Sequence, residues 1–193
     1  MLGRRRGCQG RRILPAGTIF AQLMHTGHIG YPSILPDWLT LVGPSAVPAN
    51  GQTFTPTGLQ DFATPDELSE QGIHDTIADF ARAASNAIEA GFDGVEIHGA
   101  NGYLLHQFLS TNANQRTDDW GGPTDARIRF PVAMVDAVTN AIGADRVGLR
   151  VSPATPLDDI AAKTPTALSS TRSNPWDWRI CTSWRWVRPP TVT

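Results

Sequence analysis

The chain has 193 residues, with 18 acidic and 16 basic side chains and a formal net charge of -2. That length suits one domain with a sizeable core, and the near-balanced charge excludes the electrostatic footprint of a nucleic-acid or anionic-membrane binder. No apolar run approaches the ~20 residues a bilayer span needs, and no signal-type apolar region follows the basic N-terminus, so a cytoplasmic location is expected.

Residues 1–15 show no periodicity and hold Arg4, Arg5, Arg6, Arg11 and Arg12. They read as a separate segment ahead of the domain. Residues 17–25, GTIFAQLMH, form an apolar, β-rich run that predicts a buried strand with Gln22 and His25 toward its end. Thr26–Ala63 is rich in Pro and Gly, and its length marks a functional loop or hidden structure, with brief pairing at Ser45–Val47. Thr64-Pro65-Asp66-Glu67 has the pattern of a capping box with Pro at the first helical position. The helix predicted from it carries Ile73, Ile77, Phe80, Ala84 and Ile88 on one stripe and stops at Gly91.

Val95–His98 reads as the next strand. It leads into Asn101, Tyr103 and an amphipathic turn with Leu104, Leu105, Phe108 and Leu109. Asn112–Gly122 is a polar loop in which Arg116, Asp118 and Asp119 suit ion pairs and caps. A second helix is expected over Thr124–Ile142, with Ile128, Val132, Val135, Val138 and Ile142 on its buried face and Gly143 at its end. Val147–Val151 is a third strand carrying Arg150. From residue 154 the periodicity ceases, and 154–193 reads as an irregular, non-native tail.

Strand, loop, helix, strand, loop, helix, strand predicts a parallel βαβαβ unit. It fits part of a (β/α)8 barrel or of a doubly wound sheet, and no GxGxxG supports dinucleotide binding. In either architecture polar groups at strand C-termini build sites, which singles out His98, Asn101 and Tyr103. Each has a plainer reading alone: a structural histidine, a turn signal, a rim tyrosine. Gln22 reads equally as a buried amide, and Arg150 as a partner for Glu96. His25 and His28 form an HxxH pair, but no third ligand has suitable spacing, so no metal is expected.

Five blocks in order carry a more specific resemblance: FAQLMHTGHIG, GFDGVEIHGANGYLLHQFLS, NQRTDDWGG, ARIRF and DRVGLRVSP. Over residues 16–153 the chain resembles the Old Yellow Enzyme family of FMN-dependent ene-reductases, with one departure at His28, where the family commonly has Arg. The resemblance implies an α/β fold that is a partial (β/α)8 TIM barrel, about strands three to five with two helices between irregular ends. It implies FMN as cofactor and NAD(P)H as reductant, acting on a small-molecule activated alkene such as an enone, maleimide or nitroalkene. By the same resemblance Gln22 and Arg150 contact the flavin, His98 and Asn101 bind the substrate oxygen, and Tyr103 donates a proton. An alternative expectation is an inactive truncated fragment that keeps the substrate motif but does not hold FMN. Neither nucleic acid nor membrane is an expected partner, whereas self-association through open barrel edges is.

Overall fold

In the computed structural model the described residues are 17–36, 39–152, 179–182 and 185–187. The expectations for residues 1–15 and for most of the stretch after 153 lie outside them. The main sheet begins with β1 (Phe20–Leu23), the run predicted from its apolar β-branched and aromatic content, but as an edge strand it is only partly buried and Gln22 is exposed, against the buried strand expected. It pairs in parallel with β6 (Gly94–Gly99), which pairs in parallel with β7 (Val147–Val151). This is the βαβαβ order expected from the sequence. Two further strands, β8 (Arg179–Thr182) and β9 (Arg185–Val187), extend the sheet beside β7, the first parallel and the second antiparallel. They stand inside the stretch read as irregular, whose apolar alternations are too short to mark a strand by pattern.

The loop after β1 is not structureless. It contains β2 (Val42–Gly43), which pairs in parallel with β5 (Asp66–Glu67). It also contains a hairpin of β3 (Gln52–Thr55) and β4 (Gly58–Asp61). Ser45–Val47 makes only a local turn, with Val47 N–H donating to Ser45 C=O at 2.8 Å. The expected strand pairing falls instead three residues earlier.

That pairing also moves the first helix. Asp66 N–H donates to Leu41 C=O and Leu68 N–H to Gly43 C=O, so the Thr64–Glu67 capping pattern is used as a strand. Helix α1 (Glu70–Glu89) starts later, where Ser69 Oγ accepts from Gly72 N–H at 3.0 Å, a side-chain N-cap. It ends before Gly91, as expected. Ile73, Phe80, Ala84 and Ala87 are buried along it.

The second predicted helix is two: α3 (Thr124–Arg127) and α4 (Arg129–Ile142), broken at Ile128. Pro131 explains the break. It has no N–H to donate back to Arg127, and its ring crowds that carbonyl. The buried face is Phe130, Met134, Val135 and Val138, while Val132 is 42% exposed, contrary to the expected stripe. α4 packs against α1, and both cover one face of the sheet.

Register fixes what the other face carries, because side chains alternate along each strand. Ala21, Leu23, Val95, Ile97, Val147, Leu149 and Val151 join the helices in the core cluster. The opposite parity holds Gln22 beside Glu96 on one rung and His98 beside Arg150 on the next. No helix among the described residues is long and apolar enough to cross a membrane.

Candidate active site

The polar parity and the turn after β6 form one constellation. β6 ends at Gly99, and the chain reverses through Asn101 (φ 53) and Gly102 (φ 79) into α2 (Leu104–Leu109). Asn101 is the only described non-glycine residue with positive φ. Asparagine tolerates this left-handed region better than almost any other side chain, and Gly102 has no Cβ to oppose it. α2 then buries all six of its residues, with Phe108 stacked on Phe130 at a centroid distance of 4.1 Å. The amphipathic turn expected here is therefore wholly internal, a plug that anchors the reversal.

The reversal is held at successive backbone groups. Asn101 N–H donates to Ser152 Oγ at 2.8 Å, just beyond β7. Gly102 N–H donates to His106 Nδ1 at 3.2 Å, and Gly102 C=O accepts from Gln107 Nε2 at 2.7 Å. Tyr103 N–H donates to Ala100 C=O at 3.2 Å, and Leu104 N–H to His25 C=O at 3.0 Å. The last bond ties the turn to the end of β1.

His98 is 3% exposed, and neither of its ring nitrogens has a hydrogen-bond partner among the described residues. Buried polar atoms are nearly always satisfied, so an orphaned pair calls for a ligand or ordered water. The Tyr103 ring lies at a centroid distance of 5.2 Å from the His98 ring, tilted by 48°. Burial, reinforced by the Arg150 charge, pushes His98 down to about 4. The imidazole is thus neutral near pH 7 and offers one N–H and one lone pair. His106 is also pushed down to about 4, first by burial and then by the neighbouring His98. Burial lowers His25 as well, against the attraction of Asp79.

The structure brings Gln22, His98 and Arg150 onto one sheet face and sets Asn101 and Tyr103 at the end of the same strand. Gln22 Nε2 donates to Glu96 Oε1 at 2.6 Å, so the carboxylate considered as a partner for Arg150 takes this amide. His28 Nδ1–H donates to Val47 C=O at 3.0 Å, and His25 Nδ1 accepts from Gly27 N–H. Among the described residues no group of three or more His, Cys, Asp or Glu side chains converges as a metal site.

The loop after α2 is fixed much as its charges suggested. Buried Arg116 grips Asp118 through Nε and Nη2 and donates through Nη1 to Pro44 C=O at 2.9 Å and Leu68 C=O at 2.7 Å. The Arg116 guanidinium holds Asp118 below the usual carboxylate range. Asp119 pairs with Arg129 at 3.2 Å. Sequence reasoning missed Gln107 and Ser152, which have partners across the fold, and His106, whose partner is in the adjoining turn. The HQF triplet gave no local signal of them.

Comparison with known proteins gives the constellation its context. The NADH:flavin oxidoreductase / NADH oxidase family matches residues 16–177, past Pro153, where the resembling blocks end. A probable flavin mononucleotide-dependent alkene reductase of Leishmania infantum is 44% identical over 158 residues, covering 79% of this chain and 43% of that protein. The 12-oxophytodienoate reductase 1 of Oryza sativa subsp. japonica is 43% identical over 153 residues, covering 78% and 39%. A structure of morphinone reductase in complex with tetrahydroNAD aligns with a TM-score of 0.73 at 38% identity, over 79% of this chain and 44% of that one. The chain thus spans about two fifths of the length of these relatives.

Proposed function

The chain belongs to the NADH:flavin oxidoreductase / NADH oxidase family, and from that premise we propose that it carries the substrate-facing part of an FMN-dependent ene-reductase built on a (β/α)8 barrel. β1, β6 and β7 would be three consecutive barrel strands, with the polar parity facing the barrel interior and its C-terminal mouth. The observation that carries the reading is His98: a buried neutral imidazole with both nitrogens unpartnered among the described residues, beside Tyr103 and on one rung with Arg150.

The residues fit a flavin ring in chemical type. Gln22 is exposed on the sheet face, and its amide can both donate and accept. Arg150 supplies a positive charge one rung further along, where an electron-rich ring edge would lie against it. When bound, FMN reduced by NAD(P)H supplies the hydride for the activated C=C bond of an enone, maleimide or nitroalkene. This chain's own residues manage the charge and the proton. His98 and Asn101 donate to the carbonyl or nitro oxygen, where negative charge grows as the bond is reduced. Donors fixed in advance stabilise that transition state more than the ground state. Tyr103, entering from the same turn, donates its hydroxyl proton to the substrate carbon.

The test is anaerobic reduction of the flavin-loaded protein with NADPH, followed by addition of an enone. Reoxidation on mixing, lost in His98→Ala with Asn101→Ala, is the expected result. A protein that carries no flavin absorbance, or a reduced flavin indifferent to enone, refutes it.

The share of each relative that is covered favours a second reading for these 193 residues taken by themselves. In such barrels the phosphate commonly sits in loops after strands seven and eight, and the described residues supply ring-facing groups only, which by themselves would not retain FMN. Flavin titration of that polypeptide decides between the two: micromolar retention refutes the second reading. Self-association along β1, at the edge of the five-stranded sheet, would give a dimer by light scattering, and a monomer excludes it.

A further inference from the structure

Gln107 is fully buried and carries no role in the reaction just described. Its amide nevertheless makes three hydrogen bonds, two to a loop distant in sequence and one to the turn just before its own helix. Nε2 donates to Thr26 C=O at 2.9 Å and to Gly102 C=O at 2.7 Å, while Oε1 accepts from His28 N–H at 3.2 Å. Three of the amide's four hydrogen-bonding positions are thereby filled. Gly27 (φ 65) lies between the two residues of the first loop that it binds, and a Cβ there would overlap the amide itself. The loop backbone is thus shaped around this side chain.

We propose that Gln107 is a positioning residue that locks the loop following Gln22 to the turn presenting Asn101 and Tyr103, so that the two halves of the site keep one spacing. The proposal rests on the function inferred above. Asn101 and Tyr103 flank Gly102, whose carbonyl Gln107 holds and whose N–H His106 holds. Release of that peptide frees a left-handed backbone to relax, and both side chains swing with it. His25, joined to Leu104 N–H, cannot substitute, because its carbonyl grips the helix start rather than the turn. Misplacement of a donor by about 1 Å is enough to lower turnover about 100-fold.

The experiment uses the flavin-loaded protein and two variants. Gln107→Met removes the amide at similar volume. Gln107→Glu keeps an acceptor for His28 N–H but sets a carboxylate against two carbonyl oxygens unless it is protonated. The expected results are unchanged flavin content, kcat/KM for an enone down at least tenfold in Gln107→Met, and faster amide exchange at both His28 and Gly102 with Leu149 unaffected. For Gln107→Glu, kcat/KM relative to wild type rises as pH falls from about 8 to about 6, since the protonated acid regains one donor. Should Gln107→Met fail to fold, Gln107→Asn, one methylene short, takes its place.

Exchange that quickens in only one of the two loops, retained kcat/KM, or a wild-type pH profile in Gln107→Glu overturns the proposal. A wild-type protein that ignores enones counts against the function instead. The two-loop exchange result then decides the clamp alone.

Discussion

Acid should destabilise this protein through its buried histidines, in a window set by His98 and His106. Both imidazoles are held near 4 in the folded state, against about 6.5 in the unfolded chain. Between those values the unfolded state binds protons that the native state refuses, so stability rises with pH there and is lost on acidification. The loss begins as pH drops through about 6.5 and levels off below about 4. A shift of about 2.5 units corresponds to about 3 kcal/mol per histidine, and both together approach about 5 kcal/mol at about pH 4.5, within reach of total stability for a domain. His25, lowered in the same direction, adds to it. Asp118 does not act in this window. Its folded pKa lies below its ordinary value, so its contribution is present above about 3.8 and is lost only in stronger acid. Urea unfolding followed by circular dichroism at about pH 7, 5.5 and 4.5 measures the slope. The double variant His98→Asn with His106→Gln should lose most of it. Equal midpoints at about pH 7 and 5, or an unaltered slope in the double variant, would refute the linkage.

Arg116→Met should lower stability by about 3 kcal/mol, because two buried carbonyls and Asp118 lose their partner; thermal denaturation measures it, and Arg116→Lys should recover a minority, since one ammonium cannot fork as a guanidinium does. Asn101→Ala and Asn101→Gly separate backbone from chemistry. Alanine at φ 53 should cost about 1–2 kcal/mol and glycine almost nothing, while both should depress enone turnover alike. Phe108→Ala, which empties the stack on Phe130, should cost about 3–5 kcal/mol in urea unfolding.

The three parallel strands and both helix ends at glycine were legible because burial enforces period on a sequence. Val95, Ile97, Val147 and Leu149 must alternate with polar residues to face the helices. Features decided by tertiary competition were not. Thr64–Glu67 is a sound capping box, and it loses to strand pairing with Val42–Gly43, a partner over twenty residues away in the chain. The break at Ile128 had a visible cause in Pro131, outweighed by the continuity of the apolar pattern. The β3–β4 hairpin was marked by Pro56-Thr57-Gly58 between β-prone runs, a turn hidden inside a longer Pro- and Gly-rich stretch. Within the site, strand residues were readable from position, whereas Gln107 was not: two of its three partners lie 79 and 81 residues away, and no local pattern encodes them.

The same contrast explains how the site is built. Gln22, His98 and Arg150 come from strands, where hydrogen-bonded register fixes their height and face, and a one-residue slip would turn all of them into the helical layer. Asn101 and Tyr103 come from a turn, which has no ladder to hold it. Its conformation is unfavourable for a residue with a Cβ, so other parts of the fold must impose it. Ser152, His106 and Gln107 do so from the end of β7 and from a helix buried on every side. Two of the three proposed substrate-facing groups therefore depend on side chains that never meet substrate. Substitutions at those three supports should damage turnover while leaving the sheet, and the residues on it proposed to face the flavin, intact.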